Sequence, residues 1–247
     1  MITKNILKEF NTKGFVIIRN VIKKKEIINL MNDLEKVKKK VLKKHNFFFH
    51  KTSDNKFNTI HAIQKFHKRG EIINLTHNKK INHICEEILK DKIKVRNIEF
   101  FLKPRKTGMP SPFHQDNYYW NILNAEALNV WIACSNASKN NGGLCYLEGS
   151  HKLGVIEHEL SNMKGSSQKI SENILKKLNF KKIFPKLKPG DCLIHHPETI
   201  HGSFKNTSKN DRLGFVISYA KKNHKVDLNR LESYMAKVNK SLKKIYN

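Results

Sequence analysis

Between residues 1 and 92 the apolar positions recur mainly at helical spacing, and from 93 to 220 they gather in short runs broken by turn residues. In the first stretch, Gly14-Phe-Val-Ile-Ile18 is a β-branched run that reads as a strand. From Lys23 to about Lys43, Ile27, Ile28, Leu30, Met31, Leu34, Val37, Val41 and Leu42 mark an amphipathic helix with a lysine-covered outer face. Residues 45–60 show no period and read as a loop. A second helix is predicted over Asn78 to Leu89, with Ile81, Ile84, Cys85, Ile88 and Leu89 inward. Strands are then predicted over Lys94–Leu102, Ala127–Cys134, Leu144–Leu147, Asp191–His195 and Arg212–Tyr219. Pro104, Gly108-Met-Pro110, Asn140-Asn-Gly-Gly143 and Pro189-Gly190 punctuate them. A polar insertion fills 155–180, with a short helix near Ser171 to Leu178, and a basic helix closes the chain from about Leu228.

This order implies a mainly β fold with flanking α-helices, a jelly-roll β-sandwich with its helices packed outside. Neither an internal repeat nor a low-complexity linker interrupts the chain, so residues 1–247 read as one domain. Its parts are a helical section at 1–92, a β core at 93–220 and a basic C-terminal helix at 221–247. No apolar run approaches the length of about 18 residues that a membrane span needs, and the N-terminus carries no signal-peptide pattern.

Charge complicates the picture without settling it. Lys and Arg number 48 against 21 acidic residues, a formal net charge of +27. A nucleic-acid partner is therefore a live alternative. The excess, however, is 42 Lys against six Arg, spread over the whole length instead of clustered with aromatics on one arm. Lys, Asn and Ile, all read from AT-rich codons, make up about two-fifths of the chain. A solvated basic surface is the favoured reading, and nucleic acid is not an expected partner. The four cysteines, Cys85, Cys134, Cys145 and Cys192, form no Cys-x-x-Cys pair, which removes zinc fingers and redox dithiols. Buried free thiols suit a reducing, cytoplasmic setting.

The chemistry points to His114-Gln115-Asp116. In an extended segment residues i and i+2 share a face, so imidazole and carboxylate can converge on one ion. Taken alone the pair is weak. His201 offers a third ligand, completing a 2-His-1-carboxylate facial triad of the kind that binds non-haem Fe(II) and leaves positions open. Gly202 lets the backbone pass close, and Ser203 shares the face of His201. Arg212 follows a polar turn, from which an antiparallel hairpin would return its guanidinium to the metal. There its planar fork suits a carboxylate.

Together these residues resemble the phytanoyl-CoA dioxygenase family of Fe(II)- and 2-oxoglutarate-dependent oxygenases. The resemblance runs over about residues 10 to 220 and includes Gly142-Gly-Leu-Cys-Tyr-Leu-Glu-Gly-Ser-His-Lys152, Gly190-Asp191 and the opening Gly14-Phe-Val-Ile-Ile-Arg-Asn-Val. It implies a double-stranded β-helix of cupin-like type, with Fe(2+) held by His114, Asp116 and His201. It also implies 2-oxoglutarate as cosubstrate on Arg212 and Ser203 with Lys103 nearby, Trp120 at the substrate mouth, and dioxygen as the other reactant. The expected activity is hydroxylation of an unidentified small molecule, with release of succinate and CO2. Glu148 and Leu213 depart from the family's usual residues, but neither is a ligand. Related halogenases lack the carboxylate that Asp116 supplies, so halogenation is not expected.

Asn117, Tyr118, Trp120 and Lys103 are the candidate pocket residues and suggest a polar or anionic substrate. His195 and His196 read as non-ligands, His151 as a turn histidine, and Trp131 as core or cosubstrate wall. His45, His50, His61 and His67 read as surface histidines of a loop. The rival on the same fold is a cupin-like metal-binding protein or isomerase with no need of 2-oxoglutarate.

Overall fold

The computed structural model describes residues 2–44, 48–163 and 166–246. Its strands are β1 (Phe15–Ile18), β2 (Phe49–Lys51), β3 (Phe57–Ile60), β4 (Ile93–Lys103), β5 (Ser111–His114), β6 (Ala127–Ala133) and β7 (Leu144–Leu147). They continue with β8 (Glu159–Met163), β9 (Ser166–Lys169), β10 (Lys182–Ile183), β11 (Cys192–His195), β12 (His201–Ser203) and β13 (Arg212–Lys221). The α-helices are α1 (Ile2–Lys13), α2 (Lys24–Lys44), α3 (Glu71–Asn74), α4 (Lys79–Leu89), α5 (Asp116–Trp120), α6 (Glu172–Lys177) and α7 (Leu228–Tyr246). No described helix is long and apolar enough to cross a membrane.

A seven-stranded sheet runs β1-β11-β6-β13-β4-β3-β2 and a four-stranded sheet runs β10-β7-β12-β5, with antiparallel pairing throughout. This is the expected jelly roll. Period-two alternation decides what lies between the sheets. Along β6, Leu128, Val130 and Ile132 join the cluster packed under the helices, whereas Asn129, Trp131 and Ala133 face the smaller sheet. On β13, Phe215, Ile217 and Tyr219 face the helices, and Arg212, Val216 and Ser218 face inward. Polar residues on strands with two covered faces thus collect in the space between the sheets.

Helix α2 lays Leu30, Leu34, Val37 and Val41 on the larger sheet, each with none of its surface exposed. Each such side chain contributes about 1.5–3 kcal/mol of burial. Ile28 and Leu42, expected on the same face, are exposed, because the covered stripe is narrower than the run of apolar residues. Asn78 caps α4, its Oδ1 accepting from the Lys80 and Ile81 amides at 3.1 Å.

The segment expected to be a loop contains the β2–β3 hairpin, and β3 extends the larger sheet through β4. Each of these strands is only three or four residues long, too short for a period to show. His45 lies outside the described residues. The insertion at 155–180 also contains a β8–β9 hairpin beside the expected helix.

Asp191 ties the β1–α2 turn to β11. Its carboxylate accepts from the Asn20 and Lys188 amides, both at 2.9 Å, and from Arg19 at 2.7 Å. Burial works to raise this carboxyl, but the amide hydrogen bonds and Arg19 outweigh it and hold its pKa below the ordinary value. A depressed carboxyl stabilises the fold at neutral pH, and that contribution is lost as pH falls through the folded-state pKa. Asp191→Ala is expected to cost about 2–3 kcal/mol near pH 7, since two amides lose their acceptor. The gap from wild type should narrow below about pH 4, which urea midpoints across pH will measure.

Candidate metal centre

His114 and His201 face one another across β5 and β12, where they are register partners. Their ring centroids lie 4.4 Å apart. Asp116 is the first residue of α5, not part of a continuing strand, yet Gln115 between them keeps extended dihedrals. The i, i+2 relation predicted for His114 and Asp116 therefore holds. Asp116 Oδ1 is 3.8 Å from His114 Nε2 and 3.9 Å from His201 Nε2, and one ligand atom from each residue fits within a 4.8 Å group. Gln115 is locked away from the site by hydrogen bonds to Gly154 O and Glu198 O, both at 2.7 Å.

The hydrogen bonding leaves the right atoms bare. His114 Nδ1 donates to Pro112 O at 2.7 Å and His201 Nδ1 to Thr199 O at 2.9 Å, so each ring presents an unprotonated Nε2. Asp116 Oδ2 accepts from Asn129 Nδ2 at 2.6 Å and His195 Nε2 at 2.9 Å, which leaves Oδ1 for the histidines. Burial pushes both His114 and His201 down to about 4, outweighing the Asp116 carboxylate, which acts to raise each ring. Burial alone would raise Asp116; His201, the His195 hydrogen bond and His114 outweigh it and hold the carboxyl well below its usual range. Three deprotonated donors converge without a cation among them, and a divalent ion fits that donor set.

Arg212 reaches the site by a different route from the one expected. No hairpin joins β12 to β13: β12 belongs to the smaller sheet, and β13 pairs with β4 and β6 in the larger. The guanidinium therefore faces the histidines from across the sandwich. It is 1% exposed and lies 5.5 Å from the Trp131 ring centroid. Trp131 is thus both core and cavity wall. Gly214 makes room for it, since a Cβ there would come within 2.1 Å of the indole.

Arg212 donates through Nε and Nη2 to Gly142 O and through Nη1 to Phe101 O. Three of its five N–H groups are engaged, leaving two for a ligand. Lys103 is also buried and donates to Ser203 Oγ at 2.7 Å and Phe204 O at 2.6 Å. Burial without a counter-charge pushes Arg212 down to about 9, and burial with Arg212 nearby pushes Lys103 well below its usual range. Among the described residues neither cation has an acidic partner within ion-pair distance. An anion is what this end of the site lacks.

His114, Asp116, His201, Ser203, Arg212 and Trp120 all line one cavity of ≈ 350 Å³. Lys103 touches it through Ser203 and lines a small neighbouring recess. Asn117 and Tyr118 do not line it. Asn117 Nδ2 is spent on Ile122 O and Glu198, and Tyr118 stacks on His158 on the far side of α5, because only one face of that helix meets the cavity.

Two residues carry more than the sequence suggested. His61, expected at the surface, lines the cavity and contacts Glu99. His67, from the same segment, is buried, and the chain folds over both. His195, set aside as a non-ligand, orients Asp116 and in turn meets Tyr146 Oη at 2.9 Å through Nδ1. Its inward position on β11 was the available signal. His196 points elsewhere, against Phe10 and His151, and His151 contacts Asn11 O as a turn residue would. All four cysteines are buried and free.

Residues 10–214 match the family model described as phytanoyl-CoA dioxygenase (PhyH). The human protein named "Phytanoyl-CoA dioxygenase, peroxisomal" is 24% identical over 225 residues, spanning 86% of this chain and 67% of its own length. A Stutzerimonas stutzeri protein named "Probable alpha-ketoglutarate-dependent hypophosphite dioxygenase" is 23% identical over 225 residues, spanning 86% of this chain and 77% of its own. Among solved structures, EctD from S. alaskensis with bound Fe has a TM-score of 0.73 at 17% identity, covering 90% of this chain and 77% of its own. The epimerase SnoN with Fe3+, alpha ketoglutarate and nogalamycin RO has a TM-score of 0.70 at 16% identity, covering 91% and 86%. At such identities the structural likeness is one of fold.

Proposed function

The chain belongs to the phytanoyl-CoA dioxygenase family, and from that premise we propose that it is an Fe(II)- and 2-oxoglutarate-dependent dioxygenase that hydroxylates a small polar or anionic organic molecule. In this reading residues 1–247 act as one domain. The observation that carries the proposal is the pairing, across one cavity, of three bare metal donors with a buried guanidinium that lacks an acid.

His114 Nε2, Asp116 Oδ1 and His201 Nε2 are the iron ligands, each held in its binding form by the hydrogen bonds on its other side. Arg212 binds the distal carboxylate of 2-oxoglutarate through its two free N–H groups. Ser203, fixed by Lys103, supports the same end. Trp131 forms the wall beneath the guanidinium, and Trp120 bounds the substrate side. Bound iron supplies activation of dioxygen coupled to decarboxylation of 2-oxoglutarate to succinate and CO2. The chain's own task is to fix both reactants against that ion and limit water around it.

Anaerobic titration with Fe(II) and then 2-oxoglutarate tests this. A visible metal-to-ligand charge-transfer band is expected only when both are present. Iron binding without the band would leave a cupin-like metal protein, and no iron binding would end the proposal.

A further inference from the structure

Regular alternation on β4 sends Asn97, Glu99 and Phe101 into the cavity, and Ile98, Phe100 and Leu102 toward the helices. Continued one residue further, it would turn Arg96 away. A β-bulge intervenes: Ser218 pairs with Asn97 and Tyr219 with Val95, so Arg96 has no opposite residue on β13. Val95 then packs with the helical core, and Arg96 lines the cavity next to Asn97. Bulges re-aim side chains in this way. Gln64 holds this one in place. Its Oε1 accepts from the Ile98 amide at 2.9 Å, and its Nε2 donates to Arg96 O at 3.3 Å and Asn97 Oδ1 at 3.2 Å. The polar groups that the irregular ladder frees are thereby satisfied.

The Arg96 guanidinium lies over Trp120, 4.6 Å from the ring centroid. Among the described residues its side chain has no hydrogen bond and no ion pair. Burial lowers its pKa, with Asp116 and Glu99 acting in the opposite direction from a distance. Glu99, the acid on the same strand face, is engaged by His61. The cation–π contact with the indole holds the guanidinium in place while its N–H groups keep no partner among the described residues. In the loaded site a ferrous ion with Asp116 and the 2-oxoglutarate dianion with Arg212 cancel in charge. Lys103 and Arg96 remain outside that balance, and the Lys103 ammonium is engaged by Ser203 Oγ and Phe204 O, which leaves Arg96 as the cation with its donors free.

We propose that Arg96, aimed by the β4 bulge and held over Trp120, anchors an oxoanion group of the organic substrate, a carboxylate or a phosphonate. The inference rests on the oxygenase reading of the same site.

The test uses the anaerobic protein saturated with Fe(II) and 2-oxoglutarate, with hexanoate, hexylphosphonate and hexanamide as probes. Paramagnetic broadening of each probe's proton resonances reports binding near the metal. Saturable broadening is expected for at least one of the two anions, and which one responds identifies the group. Hexanamide is expected to bind at least tenfold more weakly. Arg96→Gln should weaken the responding anion at least tenfold, and Arg96→Lys should restore part of the loss. Failure of both anions to bind wild type overturns the inference, as does equal binding of the amide or an undiminished response in Arg96→Gln. So does displacement of the anion by added 2-oxoglutarate, which would place it on Arg212. Loss of the charge-transfer band in Arg96→Gln would assign the residue to the cosubstrate and overturn it too. Absence of that band in wild type is a separate failure, that of the oxygenase reading itself.

Discussion

Arg212→Ala is expected to weaken 2-oxoglutarate binding by about 100-fold or more while leaving Fe(II) binding within a few-fold of wild type. Truncating one partner of a buried, hydrogen-bonded charge pair costs about 2–5 kcal/mol, much of it from stranding the other charge. Arg212 has none of its donors at the surface and no acid beside it, so its partner must come from the ligand. The iron ligands sit on β5, α5 and β12, whereas Arg212 opens β13 in the opposite sheet. Iron and cosubstrate affinity should therefore separate. Anaerobic calorimetry with 2-oxoglutarate on the iron-loaded variant measures the one, and Fe(II) titration the other. Arg212→Lys should recover only part of the loss, because an ammonium is a point charge and cannot reproduce the two-pronged contact. Unchanged 2-oxoglutarate affinity in Arg212→Ala would favour a metal protein that does not use it.

Local patterns in this chain were readable where the physics is local. The spacing of His114 and Asp116 and the turn glycines Gly142 and Gly190 depend on backbone geometry over a few residues. So does the helical stripe of α2. His201 was readable because its motif is compact, although its partnership with His114 depends on strand register, which one sequence does not display. Arg212 lines the cavity of the three donors, but it arrives from the larger sheet and not by the hairpin that the sequence suggests. The polar turn before it hides a crossing from one sheet to the other.

The substrate side was far less legible. His61 stands in a segment whose strands are too short to show a period, and it becomes a wall of the cavity only when β3 joins β4. Arg96 depends on a bulge that shifts one residue against the alternation, and Gln64, its support, lies more than thirty residues away. Buried polar residues on strands offered the one general clue. Asn129 in the middle of Ala-Leu-Asn-Val-Trp breaks an apolar run with both faces covered, and it reaches Asp116.

Asn129 and His195 also determine how Asp116 will respond to substitution. Asp116→Ala removes a ligand outright, and Fe(II) affinity is expected to fall by at least about 100-fold, since disturbing a ligand's hydrogen-bond partners alone costs about 10–100-fold. The sharper test is Asp116→Asn, which keeps the shape and one oxygen. Asn129 Nδ2 is a donor directed at Asp116 Oδ2. His195 donates there as well: Tyr146 keeps its proton, since burial raises its pKa far above the usual value, and bonds to His195 Nδ1. An asparagine oxygen placed toward these two donors turns its NH2 group to His114 and His201, where a donor excludes a metal ligand. The opposite orientation sets NH2 against both donors and strands them in a buried site. Neither orientation satisfies metal and protein together. Asp116→Asn should therefore lose iron nearly as completely as Asp116→Ala, by Fe(II) titration and by metal content after anaerobic desalting. If the asparagine variant instead retains iron within tenfold of wild type, the carboxylate is not the ligand that this hydrogen-bond network is built to hold.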